Sequence, residues 1–215
     1  MAEYLTYNKL KEKIPEYLNR YDDTVINNIP FFIMLAERRI SRDFKILGTK
    51  RFINGTLING ENLIAKPNRW LKTSSFAISV PAQYIEDTYT LEPLFDREIT
   101  FCQLYWPNVQ VLDKPEYYAD FEYDQWYIVP TPDKKYNYTS SYFEVPVLID
   151  ESNSNNFYTD ELPDLLLYGC LTEACGFLKD ITLESKWGTR YAKSLEAAMA
   201  QNQSLVVDAQ NRRGS

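Results

Sequence analysis

The 215-residue chain contains no histidine. That absence removes the commonest general base and metal ligand, and it excludes any Ser-His-Asp arrangement. Cysteine is scarce: three residues, an odd number, do not make a disulfide framework. Cys170 and Cys175 fall in one predicted helix, where five residues of rise and about 140° of rotation hold them apart, so buried reduced thiols are expected. Glycine is also sparse, at seven residues, and none is gathered into a phosphate-cradling loop; zinc-ligand spacing is missing too. No segment approaches the roughly 18 consecutive apolar residues of a membrane span. Met1-Ala2-Glu3-Tyr4 has neither basic cap nor apolar run, so no secretion signal is expected.

What the chain does have is aromatic and acidic. Between residues 51 and 161 lie 21 of its 32 aromatics and 17 of its 30 carboxylates. Formal charge is +2 over residues 1–50, −9 over 51–161 and zero over 162–215. Nucleic-acid binders usually carry a basic stripe, and this middle carries the opposite. Specific DNA recognition is therefore not expected, whereas an acidic surface past which DNA slides would fit. Much sticky surface with little catalytic chemistry points to assembly.

Helical signals occupy both ends. Thr6 is placed to cap a helix reaching about Tyr21, with Leu10, Ile14, Tyr17, Leu18 and Tyr21 on one face and Pro15 bending or restarting it. A second helix spans roughly 24–47, with a break near Pro30, an apolar stripe of Ile29, Ile33, Ala36, Ile40, Phe44 and Leu47, and Gly48 as its stop. Glu37, Arg38, Arg39, Arg42 and Lys45 are assigned to its outer side. Pro163 opens a third helix with seven apolar side chains at 3,4 spacing, and a fourth runs from about Thr182 to Gln201. The tail from Asp208 to Ser215 reads as unstructured when free.

Between them the pattern is of short strands. Arg51–Ile58 and Asn62–Ala65 are read as a pair about Asn59-Gly60, Trp70–Val80 as a strand, and Asp96–Tyr105 as helical. Glu116–Tyr123 and Trp126–Val129 form the clearest hairpin, Tyr136–Val145 the last strand, and 146–161 a polar loop. The expected fold is α+β: a four-helix body from both chain ends, residues 1–49 and 162–205, with an antiparallel β-rich module, 50–161, inserted between helices 2 and 3, and a flexible tail, 206–215.

Candidate chemistry is thin. Asp120, Glu122 and Asp124 alternate on one strand face, opposite Phe121 and Tyr123, but Gln125 and Thr131 stand where a calcium loop needs glycine and glutamate. A solvated strand face is the plainer reading. Trp70, Trp106 and Trp126 could stack on sugars beside a carboxylate pair, yet composition cannot place two carboxylates at a working separation. Tyr-rich strands also suit protein interfaces. Arg38, Arg39 and Arg42 make a basic edge suited to salt bridges with Glu37 and Asp43 or with a neighbouring chain's acidic middle. Unequal charge along one subunit permits head-to-tail pairing in a ring. The interface candidates are those three arginines with Trp70, Trp106, Tyr117, Tyr118 and Trp126.

Several segments, in order, carry a resemblance. They are Leu5-Thr6-Tyr7-Asn8-Lys9-Leu10, then Ile29-Pro30-Phe31-Phe32-Ile33-Met34-Leu35-Ala36-Glu37-Arg38-Arg39-Ile40. Ala65-Lys66-Pro67-Asn68-Arg69-Trp70-Leu71, Tyr105-Trp106-Pro107, Lys114-Pro115-Glu116-Tyr117-Tyr118-Ala119-Asp120 and Pro130-Thr131-Pro132-Asp133 follow. Leu162-Pro163-Asp164-Leu165-Leu166-Leu167-Tyr168 and Glu173-Ala174 close the series. Together they resemble the head-to-tail adaptor proteins of short-tailed bacteriophages. The resemblance implies a structural virion protein without catalytic residues or cofactor. It further implies a ring, typically of twelve copies, docked beneath the portal, assembled in the host cytoplasm and leading DNA to the tail nozzle or tail fibre proteins. A C-terminal extension that grips the portal in related adaptors makes Val206–Arg213, with Arg212 and Arg213, the corresponding candidate. The competing readings are a carbohydrate-binding or cell-wall-degrading tail component and a cytosolic scaffold protein with no viral role.

Overall fold

The computed structural model describes residues 5–44, 47–81 and 88–211. Along the chain run α1 (Tyr7–Leu18), α2 (Asp23–Asp43), a short 3-10 turn (Leu47–Thr49), β1 (Lys50–Leu57), β2 (Leu63–Ala65), β3 (Trp70–Pro81) and β4 (Tyr89–Asp96). Next come α3 (Ile99–Tyr105), β5 (Leu112–Asp113), β6 (Tyr117–Asp120), β7 (Gln125–Val129), β8 (Thr131–Pro132) and β9 (Tyr136–Glu144). The chain ends in α4 (Phe157–Glu161), α5 (Pro163–Leu178) and α6 (Ile181–Asn211). It divides into a helical unit, Met1–Thr49 with Pro146–Ser215, and a β-rich unit, Lys50–Val145. The fold class is α+β, as the periodicities indicate.

Each helical end in the first unit has a local cause. Thr6 Oγ1 accepts the Lys9 N–H at 3.2 Å, and α1 closes at Asn19 in the left-handed conformation. Asp22 caps α2 by accepting the Val25 N–H. Neither Pro15 nor Pro30 interrupts its helix. Instead α2 stops at Asp43, where Phe44 turns extended, so Gly48 is not its terminator. Ile29, Phe32, Ile33, Ala36 and Ile40 of α2 pack with Leu10 and Ile14 of α1, Leu165, Leu166 and Leu171 of α5, and Trp187 and Tyr191 of α6 in one core. Gly169 lets α5 approach α2, since an added Cβ would lie 3.1 Å from the Ala36 Cβ.

Residues 146–161, expected in the module as a polar loop, group with the helices. Asn156 caps α4 in a capping box with Thr159, and Ile149 and Tyr158 join the helical core. Among the described residues the body therefore has five α-helices and not four. The reassignment also changes the electrostatics. Asp150, Glu151, Asp160 and Glu161 move to the helical unit, and Lys50–Val145 holds 13 acidic against 9 basic residues. The steep charge contrast read from the linear segments shrinks accordingly. α6 carries on to Asn211, so residues 208–211 of the expected free tail are helical.

In the β-rich unit a seven-stranded sheet has the order β1-β9-β3-β4-β6-β7-β2. It is mixed and not purely antiparallel: β4 and β6 run parallel, as do the two-residue partners β5 and β8. β2 pairs with β7, not β1. The Gly60 N–H reaches the Pro132 carbonyl and the Ile128 N–H reaches the Asn62 carbonyl, carrying the chain after β1 across to the other edge of the sheet. One face of the sheet buries Phe76, Ile78, Trp126, Ile128 and Tyr138 in a second core, with Leu57 of β1 and Ile64 of β2 closing its ends. β4 was hidden in the sequence by Pro93, which a central strand seldom holds. It fits because β6 joins β4 only at Phe95 and Asp96, leaving the backbone at Pro93 paired to β3 alone.

Candidate functional site

A cluster of exposed apolar and aromatic side chains sits on α3. Glu98 occupies its N-cap and Trp106 its C-cap, and Ile99, Cys102 and Trp106 turn inward against Ala119, Tyr127 and Val129. Phe101, Leu104 and Tyr105 consequently point outward, with Leu104 77% exposed. Their rings are locked to one another. Phe101 stacks on Tyr105 at 5.7 Å, and Tyr117 meets both edge-on at 5.4 and 5.0 Å. The Arg97 guanidinium lies 5.6 Å from the Phe101 and Tyr117 ring centres. Tyr105 donates its hydroxyl to Glu116 at 2.9 Å, a bond that raises the phenol's pKa. Exposed Val109, Val111 and Leu112 extend the apolar area along the following loop. A preorganised, ring-rich patch edged by carboxylates has the composition of a protein-docking surface.

The sequence-derived interface residues are dispersed. Trp106 and Tyr117 are half-buried and belong to this patch. Trp126 is fully buried and Tyr118 is 3% exposed, so both are core residues and not contact residues. Trp126 donates its indole N–H to Thr73 Oγ1 at 2.8 Å and meets Phe76 edge-on. Burial, then the Asp96 and Asp120 charges, raises the pKa of the Tyr118 phenol. Trp70 lies half-buried under a structural cation: Lys66 Nζ sits 3.7 Å from its ring centre, donates to the Glu122 carbonyl and pairs with Asp120. On α2, Arg39 is taken by Glu173 at 2.6 Å and faces the Tyr191 ring, while Arg38 and Arg42 are exposed. Arg212 and Arg213 lie outside the described residues.

The expected alternating face at 120–124 does not form, because β6 ends at Asp120 and the chain turns. Tyr123 is 80% exposed instead of facing inward. Asp120 accepts from Thr73 and Lys66. With Asp96, Arg97, Glu98, Ile99 and Thr100 it lines an open depression of about 670 Å³. Burial, then the neighbouring Asp120 charge, raises the Asp96 carboxyl. No group of three metal-ligating side chains occurs among the described residues. The three thiols are buried and free, and burial lifts Cys175 to about 11 and the others upward as well, so they are poor nucleophiles.

One residue escaped the sequence reading. Glu37, assigned to the outer side of α2, is fully buried. Its carboxylate accepts the Ile149 N–H at 3.2 Å and the Asn156 side-chain amide at 2.6 Å, tying the loop before α4 to α2. Desolvation raises its pKa to about 7 despite those two donors. Ile33 and Ser41, four residues to either side and both buried, are the helical-spacing signal for its position. The site pins the loop before α4 to the helical core.

No helix among the described residues is long and apolar enough to cross a membrane. No curated protein matches the chain. The SU10 adaptor protein model matches it over residues 5–214, nearly end to end and through both structural units. That family is a structural class of bacteriophage virion component and not an enzyme class. On this match the chain belongs to the SU10 adaptor protein family.

Proposed function

We propose that this protein is the head-to-tail adaptor of a short-tailed bacteriophage, a ring of twelve copies seated between the portal and the tail nozzle. The observation that carries the reading is the exposed ring-rich face of α3 in a chain whose family is one of adaptors. An adaptor works by geometry. Repeated contacts between neighbours close the ring, and multivalency makes modest individual contacts durable. The net charge of −7 suits a conduit that passes polyanionic DNA without holding it.

Arg38, Arg42, Trp106 and Tyr117 remain the proposed contact residues from the sequence. The end of α6, with Arg212 and Arg213 beyond it, is the proposed portal contact, and nozzle or tail fibre proteins are the partners on the other side. The test is electron microscopy of the protein mixed with its portal. Rings stacked on the portal are expected. A persistent monomer that ignores the portal and binds glycans would overturn the reading in favour of a carbohydrate-binding tail component.

A further inference from the structure

α6 carries Lys186, Arg190 and Lys193 at spacings of four and three, so all three stand on one flank of the helix, and all three are exposed. None of them makes an ion pair among the described residues. Elsewhere in the helical unit Lys9, Lys11, Lys13, Arg20 and Arg39 each have a carboxylate partner. The flank is also aromatic at its base. Lys186 Nζ lies 4.8 Å and the Arg190 guanidinium 5.1 Å from the Trp187 ring centre, and Tyr168 stacks on Trp187 at 6.0 Å. The α3 face of the β-rich unit is richer in carboxylates: Glu98, Asp113 and Glu116 are exposed around Phe101, Leu104 and Tyr105 with no ion-pair partner among the described residues, against Arg97 over the rings and Lys114, which is paired to Glu92.

We propose that the α6 flank of one copy docks on the α3 face of the next copy, making the head-to-tail contact of the ring. This rests on the ring-forming reading above and assigns its two surfaces. Cations without an ion pair on the α6 flank meet carboxylates without one on the α3 face, whose exposed Phe101, Leu104 and Tyr105 supply an apolar centre inside the charged rim. The two surfaces differ, so the contact is heterologous, and repetition closes a ring or grows a filament. A second copy is the occupant because the chain itself supplies both halves of the complementarity.

The test uses two full-length variants, K186E/R190E/K193E and E98K/D113K/E116K, with folding checked by circular dichroism. In each variant both surfaces carry one sign. Sedimentation velocity should show self-association weakened at least about tenfold for each alone. An equimolar mixture should return to within about threefold of the unaltered protein, because the two reversed surfaces are complementary to each other, as are the two native ones. L104D, which alters the apolar centre without touching the rim, should also weaken association. Either charge variant assembling as well as the native chain overturns the proposal, as does a mixture that fails to recover. Loss of DNA retention by K186E/R190E/K193E with assembly intact would likewise overturn it, assigning the flank to nucleic acid. Portal binding by the unaltered protein is scored separately, so a failed adaptor reading is distinguished from a wrong choice of surfaces.

Discussion

Replacing Glu37 with Gln should remove a pH dependence that this one buried carboxyl imposes on the helical unit. The folded pKa of about 7 stands above the ordinary 4.5 because burial disfavours the charged form. The folded state therefore binds the proton more tightly than the unfolded state does. The group's stabilising contribution is complete below 4.5 and is lost as pH rises through about 7. The whole window corresponds to about 3 kcal/mol, most of it between about pH 5 and about pH 8. Glutamine has nearly the same shape and keeps one oxygen to accept from Ile149 and Asn156, but it does not titrate. Urea unfolding followed by far-ultraviolet circular dichroism, which reports the helices, should show E37Q gaining about 2–3 kcal/mol on the native chain between those two pH values. Other titrating groups are common to both proteins and cancel in the difference. Curves that stay parallel to within about 0.5 kcal/mol would refute the reasoning.

Two further substitutions probe the β-rich unit, which holds three of the four tryptophans and so dominates the fluorescence signal. Gly55 lies opposite Tyr138 in the β1–β9 pair, and a Cβ there would fall 2.5 Å from the tyrosine ring; that ring is stacked on Phe76 at 4.9 Å and has nowhere to move, so G55A should cost about 1–3 kcal/mol in urea unfolding. A loss under about 0.5 kcal/mol would mean the ring can yield. Lys66 Nζ is held by Asp120, the Glu122 carbonyl and the Trp70 ring, with the side chain 1% exposed. K66M keeps the apolar stem but takes the ammonium away from Asp120 and the Glu122 carbonyl in a buried position, and a destabilisation of about 1–3 kcal/mol is expected in the same assay. An unchanged midpoint would show that water replaces the ammonium at no cost.

α1, α2, α5 and α6 were legible because each carries a stripe of apolar residues at helical spacing, whereas α4 fell in the expected polar loop. Thr6 and Pro163 stand at the ends where the pattern puts them. What failed was information held by partners far along the chain. Pairing of β2 with β7 is fixed by Gly60 and Asn62 bonding to Pro132 and Ile128, which no local rule foretells. β4 was masked by Pro93, whose backbone is tolerated only because β6 joins beyond it. Charge misled in α2, where Glu37 follows the buried stripe but has the chemistry of an outer residue.

The α3 face was hidden for a different reason. Ile99 and Cys102 on one side of the helix and Phe101, Leu104 and Tyr105 on the other are all apolar, so periodicity alone cannot say which side turns outward. Composition located the aromatic segment but could not separate Trp126, a core ring, from Tyr105, a surface one. Only the register of β6 and β7 beneath α3 makes that distinction.

Amide hydrogen exchange across residues 99–113, compared between the free chain and assembled particles, tests most directly whether the α3 face is the surface through which this adaptor assembles. Protection of that stretch should rise at least about tenfold on assembly, while the already buried β9 changes little. Exchange at 99–113 that is the same in both states would contradict the account.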